Sequence, residues 1–168
     1  MADSYSLYLV RHAIAAERGD EYPDDSRRPL TGDGTSRFRK AARGLAEIGV
    51  EVDLILTSPF VRARQTADIL SEQLRGKPPV VETDALIPGA AHADLIAELA
   101  NYEKRSALAL VGHEPGIGMA AARLVGAKGA FAFKKGGVCR IDVSSLPPAG
   151  PGQLVWFAPP KMLVGVKG

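Results

Sequence analysis

Leu7-Tyr8-Leu9-Val10-Arg11-His12-Ala13 is the stretch on which the reading of this chain turns. Leu7 to Val10 are bulky and lack a charged residue, as suits a strand buried on both faces of a parallel sheet. Charge then arrives abruptly with Arg11 and His12. Such a strand presents both at its carboxyl end, the edge where open α/β sheets bind ligands. An isolated Arg-His pair can equally mark a chain surfacing, so the rest of the sequence has to decide.

Working outward, Ser106 to Val111 repeats the pattern and runs into Gly112-His113-Glu114-Pro115. A second histidine is thereby expected at the end of a second buried strand, with Gly112 allowing close backbone approach and Pro115 opening a helix that continues from Ile117 to Val125. Val52 to Thr57 supplies a further buried strand, broken by Ser58-Pro59. Phe60 to Leu74 then reads as a helix with Ala63, Ala67, Leu70 and Leu74 toward the core. Arg62 and Arg64 fall in its first turn, where the helix dipole disfavours cations. Arginine beside a helix N-terminus suits a bound anion such as phosphate. For Arg64 a pair with Asp68, four residues on, is the simpler expectation.

The remaining segments read as scaffold. Glu17 to Pro29 is a polar surface loop. Thr31 caps a helix from Gly32 whose apolar stripe is Phe38, Ala41, Ala42, Leu45 and Ile48, and Gly49 ends it. Pro79 to Val81 forms a short strand, followed by an irregular segment with Glu82 and Asp84. His92 to Tyr102 has helical spacing through Leu95, Ile96 and Leu99, and His92 is given no role. Phe131 and Phe133 pack within the loop Gly126 to Gly137. Val138 to Val143 and Gln153 to Phe157 form an antiparallel edge joined through a Pro/Gly loop, with Cys139 as a small core residue. The tail from Pro159 carries no clear signal.

The 168 residues, 46% hydrophobic and 24% charged, suit one soluble domain. A formal charge of +2 on scattered Lys and Arg excludes nucleic acid and a membrane surface as the main partner. The single Cys139 excludes an intramolecular disulfide and a thiolate metal cluster. Met1-Ala2-Asp3-Ser4-Tyr5 lacks a basic segment followed by an apolar one, and no run approaches the roughly 18 apolar residues of a membrane span. A cytoplasmic location is expected.

Two imidazoles, His12 and His113, with two guanidiniums, Arg11 and Arg62, suit a site where a neutral histidine attacks phosphorus and cations hold the equatorial oxygens. Such chemistry needs no separate metal, and no cofactor is expected. A zinc site is the competing use of two histidines, but no Cys cluster or His-Glu-x-x-His spacing completes one. A phosphate-cradling Gly-x-x-x-x-Gly-Lys-Ser/Thr loop is also absent from the sequence.

These residues resemble the histidine phosphatase superfamily, also called phosphoglycerate-mutase-like, and within it the small SixA-type phosphohistidine phosphatases. The similarity is carried by Leu9-Val10-Arg11-His12-Ala13, Arg28-Pro29-Leu30-Thr31, Ser58-Pro59-Phe60-Val61-Arg62-Ala63-Arg64-Gln65-Thr66-Ala67 and Val111-Gly112-His113-Glu114-Pro115. It implies a three-layer α/β/α sandwich around a mostly parallel sheet, with residues 1–168 as a single histidine phosphatase domain. It further implies that His12 is the nucleophile that becomes phosphohistidine, that Arg11 and Arg62 bind phosphoryl oxygens, and that His113 contacts the same group. Ala13 stands where the superfamily usually has glycine. Larger members carry a glutamate proton donor after the third strand, and here Glu82 and Asp84 are the candidates for a general acid, without a recognisable motif around either. The expected substrate is phosphohistidine in a protein. The alternatives are a small phosphomonoester or, in a different class, phosphoprotein binding without catalysis.

Overall fold

Six strands make one sheet in the order β3-β2-β4-β1-β5-β6. They are β1 (Tyr5–Arg11), β2 (Leu54–Thr57), β3 (Val80–Glu82), β4 (Ala107–Gly112), β5 (Val138–Val143) and β6 (Gln153–Ala158). The computed structural model describes residues 4–168, so the first three residues of the N-terminal segment read above lie outside it. Strands β3, β2, β4 and β1 run parallel, while β5 pairs antiparallel with β1 and β6 antiparallel with β5. The antiparallel pair is thus half edge: β6 is outermost, and β5 is covered on both sides.

The apolar runs in β1, β2 and β4 have a simple cause. Tyr8, Val10, Ile55, Ala109 and Val111 face a core under α1 (Gly32–Glu47) and α2 (Val61–Gln73), joined there by Phe38, Ala41, Leu45, Ala63, Ala67 and Leu70. Leu7, Leu9, Leu54, Leu56, Leu108 and Leu110 face the opposite core, with Leu95 and Leu99 of α3 (His92–Leu99) and Ile117, Ala121 and Leu124 of α4 (Gly116–Leu124). Alternate residues serve opposite layers, so the central residues of these strands are apolar on both faces and polar ones are kept to the strand ends. The result is the expected three-layer α/β/α sandwich. Among the described residues no helix is long and apolar enough to cross a membrane.

Local signals place the helices. Thr31 caps α1, its side chain accepting the Gly34 N–H at 2.9 Å. Gly49 follows α1 at φ +87°, a conformation that favours glycine. The stripe on α1 stops at Leu45, because Ile48 is the C-cap and lies 44% exposed. Strand β2 begins at Leu54, two residues later than the apolar run, since Val50 and Val52 are buried in the connection from α1 instead. The helix expected over His92 to Tyr102 ends as α at Leu99 and tightens to a 3-10 turn at Ala100–Tyr102. Phe133 is buried and packs its ring 4.7 Å from that of Phe157. The tail, silent in sequence, forms a 3-10 turn at Pro160–Met162 and buries Leu163 against α1.

Candidate active site

Strand register brings the two histidines together. Arg11 lies opposite Gly112 in the β1–β4 pair, so His12 and His113 are each one residue past the same sheet edge. Thr57 lies opposite Val111, which sets Ser58 at that edge as well. The His12 and His113 rings are 5.1 Å apart, and both residues are buried, at 7% and 5% exposure.

His12 has a defined tautomer. Its Nδ1 is 2.7 Å from the Ala13 carbonyl oxygen, which can only accept, so Nδ1 carries the proton. Nε2 is left with its lone pair, and Arg62 Nε–H donates to it at 3.3 Å. Burial pushes the ring down to about 4; the Ala13 bond opposes the shift, and the charges of Arg62, Arg11 and Arg28 add to it. At neutral pH His12 is therefore an uncharged imidazole with its Nε2 lone pair among guanidiniums.

His113 is fixed by Ser58. The fully buried Ser58 hydroxyl accepts the Phe60 N–H at 3.2 Å and lies 2.8 Å from His113 Nε2. The Ser58 hydroxyl has two acceptor lone pairs and one proton, so this bond orients the His113 ring while leaving either ring nitrogen able to carry the proton. The His113 Nδ1 is buried and has no hydrogen-bond partner among the described residues. Burial lowers His113 to about 3, with His12 and Arg62 contributing. A buried ring nitrogen without a partner is a polar atom left free at the mouth of the site.

The arginines are held from behind. Arg62, at 2% exposure, gives Nη1 to the Asp25 carbonyl at 2.8 Å and Nη2 to the Asp25 carboxylate at 3.0 Å. Arg28 donates Nε to the same carboxylate at 2.8 Å and Nη1 to the Ala16 carbonyl at 2.6 Å. Burial alone would raise the Asp25 carboxyl, but the bonds and charges of Arg28 and Arg62 hold it below its usual range. Arg11 donates Nη1 to the Phe133 carbonyl at 2.7 Å, while its Nε is buried without a partner among the described residues. Thr66 ties α2 to the turn after His12: its hydroxyl accepts the Ala13 N–H at 3.0 Å and donates to the Arg62 carbonyl at 2.7 Å.

A cleft of about 320 Å³ opens over this group. Arg11, Arg18, Arg28, Arg62 and Lys135 line it against two acids, Glu17 and Glu114. Glu114 is spent on structure, accepting the Gly118 N–H at 2.7 Å and the Phe133 N–H at 3.3 Å. Glu17 is exposed at the rim. Among the described residues no three His, Cys, Asp or Glu side chains converge as a metal ion would require.

Arg11, His12, Arg62 and His113 are thus brought together, whereas Glu82 and Asp84 are not. Glu82 ends the edge strand β3 with its carboxylate 3.4 Å from Arg64. Asp84 opens a 3-10 turn and lines a separate cleft with Asp94 and Glu98. The reason is topological: β3 is two strands removed from β4, so its end does not reach the histidines. Arg64 pairs with Asp68 at 3.0 Å, as its spacing implies. Sequence reasoning missed Asp25, Ser58 and Thr66. Ser58 was findable, since it follows β2 as His12 and His113 follow β1 and β4; Asp25 sits in a loop dense with acids and had no such signal.

Preorganised cations around a neutral, oriented imidazole suit attack on phosphorus and stabilisation of the charged, five-coordinate transition state. Known proteins similar to this chain point to one family. The family model for the histidine phosphatase superfamily (branch 1) matches residues 7–87. An uncharacterised protein of Picosynechococcus sp. is 42% identical over 114 residues, 67% of this chain and 68% of that protein. Phosphohistidine phosphatase SixA of Escherichia coli is 37% identical over 68 residues, 40% of each chain. A structure of the protein histidine phosphatase SixA complexed with tungstate superposes with a TM-score of 0.83 at 25% identity, covering 94% of this chain and 99% of that one. On sequence, sheet topology and site together, the chain belongs to the histidine phosphatase superfamily.

Proposed function

We propose that this chain is a metal-independent phosphatase that passes through a phosphohistidine on His12 Nε2 and acts on phosphohistidine in a protein. The observation that carries the reading is the tautomer of His12, with Nδ1–H bound to the Ala13 carbonyl and an unprotonated Nε2 facing Arg62. The Nε2 lone pair attacks phosphorus. The other ring nitrogen of the substrate takes up a proton from solvent, the bond from phosphorus to the leaving nitrogen breaks, and its electron pair stays on the departing neutral imidazole. Arg11 and Arg62 hold the phosphoryl oxygens, and His113, whose Nδ1 is buried without a partner among the described residues, contacts the same group. Water then attacks phosphorus, the P–Nε2 bond breaks, inorganic phosphate leaves, and His12 returns neutral.

The choice of substrate rests on the leaving group. An alkoxide is strongly basic and needs a positioned acid, a contribution of typically 10² to 10⁴-fold. Glu82 and Asp84 stand outside the cleft, Glu114 is committed to backbone N–H groups, and Glu17 lines the cleft as an exposed side chain with nothing among the described residues fixing its position. A phosphohistidine ring protonated on its other nitrogen leaves as neutral imidazole without such help, because its conjugate acid has an unperturbed pKa of ~6.5 and solvent can supply that proton. The likeness to SixA supports the same choice.

The test compares kcat/KM on a phosphohistidine peptide with that on an alkyl phosphate, with EDTA present throughout. The peptide should be favoured by at least 10²-fold, and p-nitrophenyl phosphate, whose phenolate also leaves readily, should be hydrolysed slowly. Equal efficiency on both substrates, with collapse of alkyl-ester activity in Glu17→Gln, Glu82→Gln or Asp84→Asn, would identify a general acid and move the protein to small phosphomonoesters.

A further inference from the structure

A second cleft adjoins the first and is not used by the chemistry above. It encloses about 260 Å³ between α3 and α4, with Leu86, Ile87, Leu95, Ile117, Met119 and Ala120 among its walls. His113 lines both clefts, and the same two chain segments form the walls of each. Ile87 borders the apolar cleft and Pro88 the phosphoryl cleft; Gly116 borders the first and Glu114 the second. His113 is thus the wall between them, and the two clefts lie side by side along the same segments.

Three features describe what would fill it. The volume is below the about 300–1,000 Å³ typical of clefts for drug-sized ligands, and it matches a single bulky side chain better. Among the described residues no aspartate or glutamate lines it; the polar members beyond His113 are Arg123 at the surface and His92, whose Nδ1 is buried without a hydrogen-bond partner among them. Met119, 43% exposed, forms a deformable apolar lip. Arg123 here, and Arg18, Arg28 and Lys135 on the neighbouring cleft against Glu17 and Glu114, leave a net positive surround that favours an acidic approach path.

We infer that the apolar cleft between α3 and α4 is a docking subsite for one apolar side chain of the phosphorylated partner protein, carried on an acidic stretch flanking its phosphohistidine. This rests on the phosphohistidine reading above and adds what selects among phosphohistidine proteins. The docked side chain anchors the partner so that its phosphoryl group lies over His12. Binding energy gained there is remote from the reacting bond and shows mainly in KM.

The experiment uses synthetic phosphohistidine peptides in an alanine-glutamate background, with one leucine walked through the flanking positions, an all-alanine control and a lysine-for-glutamate control. Each is read as kcat/KM and as competitive inhibition of p-nitrophenyl phosphate hydrolysis, so the cleft is probed even by a slowly hydrolysed peptide. At one or two positions leucine should raise kcat/KM at least tenfold through KM. Ala91→Trp, which narrows the cleft from an exposed lining position, should erase that gain while leaving p-nitrophenyl phosphate hydrolysis within twofold of wild type. Arg123→Glu should reverse the preference for glutamate over lysine. Absence of any position preferring leucine, or equal damage by Ala91→Trp to p-nitrophenyl phosphate, would overturn the inference. So would a gain confined to 1-naphthyl phosphate, which would make the occupant a small ester. Failure of the phosphohistidine reading is seen separately, in the all-alanine peptide against the alkyl phosphate.

Discussion

At residue scale, Arg62 and Arg64 sit two positions apart on α2 and differ in nearly everything that matters. Arg62 is 2% exposed and points its Nε at His12, whereas Arg64 is solvated between Asp68 and Glu82. A planar guanidinium already tied to Asp25 on one side presents its remaining N–H groups in a fixed fork. Lysine offers a single flexible ammonium and cannot reproduce it. Arg62→Lys should lower kcat/KM by about 10² to 10³-fold, the scale of losing one transition-state donor. Arg64→Ala should stay within about threefold of wild type, as expected for an exposed helix pair. Steady-state kinetics on p-nitrophenyl phosphate checks both, and the reverse ranking would contradict the assignment.

At the scale of elements, the site depends on loops held close to helices. Gly118 on α4 packs so tightly under the loop before β5 that a Cβ there would run into the Phe131 carbonyl and crowd Glu114 Oε1. That loop carries the Phe133 carbonyl that anchors Arg11. Gly118→Ala should therefore lower both Tm and kcat/KM, while Gly116→Ala on the same helix, where a Cβ meets open space, should leave stability little changed. Thermal unfolding and kinetics on the pair make the comparison. The elements themselves were largely legible in the sequence. The runs at Leu7, Leu54 and Leu108 are apolar because alternate residues serve opposite cores, and Thr31, Gly49 and Ser58-Pro59 punctuate them. The ends were less so: Ile48 continues the α1 stripe by spacing yet lies beyond the turn that packs. The four principal site residues were legible because each stands at a strand end or helix start. Asp25 was not, because its importance comes from Arg62 reaching it across 37 positions, a tertiary relation with no local mark.

At the scale of the whole molecule, the fold keeps two imidazoles neutral inside a cationic cleft, and this links the site to acid stability. An unfolded histidine takes up a proton near pH 6.5, whereas folded His12 and His113 resist until about 4 and about 3. Because both folded values are depressed, the unfolded state binds more protons in this interval, and stability is lost as pH falls from 6.5 toward 4. The unfolding midpoint in urea should drop over that range, and the drop should be shallower in the His12→Asn, His113→Asn double variant. An identical slope in the two proteins would show that the rings titrate normally. The same neutrality means that kcat/KM, corrected for substrate ionisation, has no acid limb near 6.5.

Most direct for the central claim is identification of the phosphorylated atom in an enzyme quenched during turnover. Base-stable, acid-labile phosphate should be found on His12, and ³¹P NMR of the digested peptide should place it on Nε2, since Nδ1 is held by the Ala13 carbonyl. Nothing should be trapped in His12→Ala, which should also lack turnover. Phosphate on His113 instead, or full turnover in His12→Ala, would contradict the account.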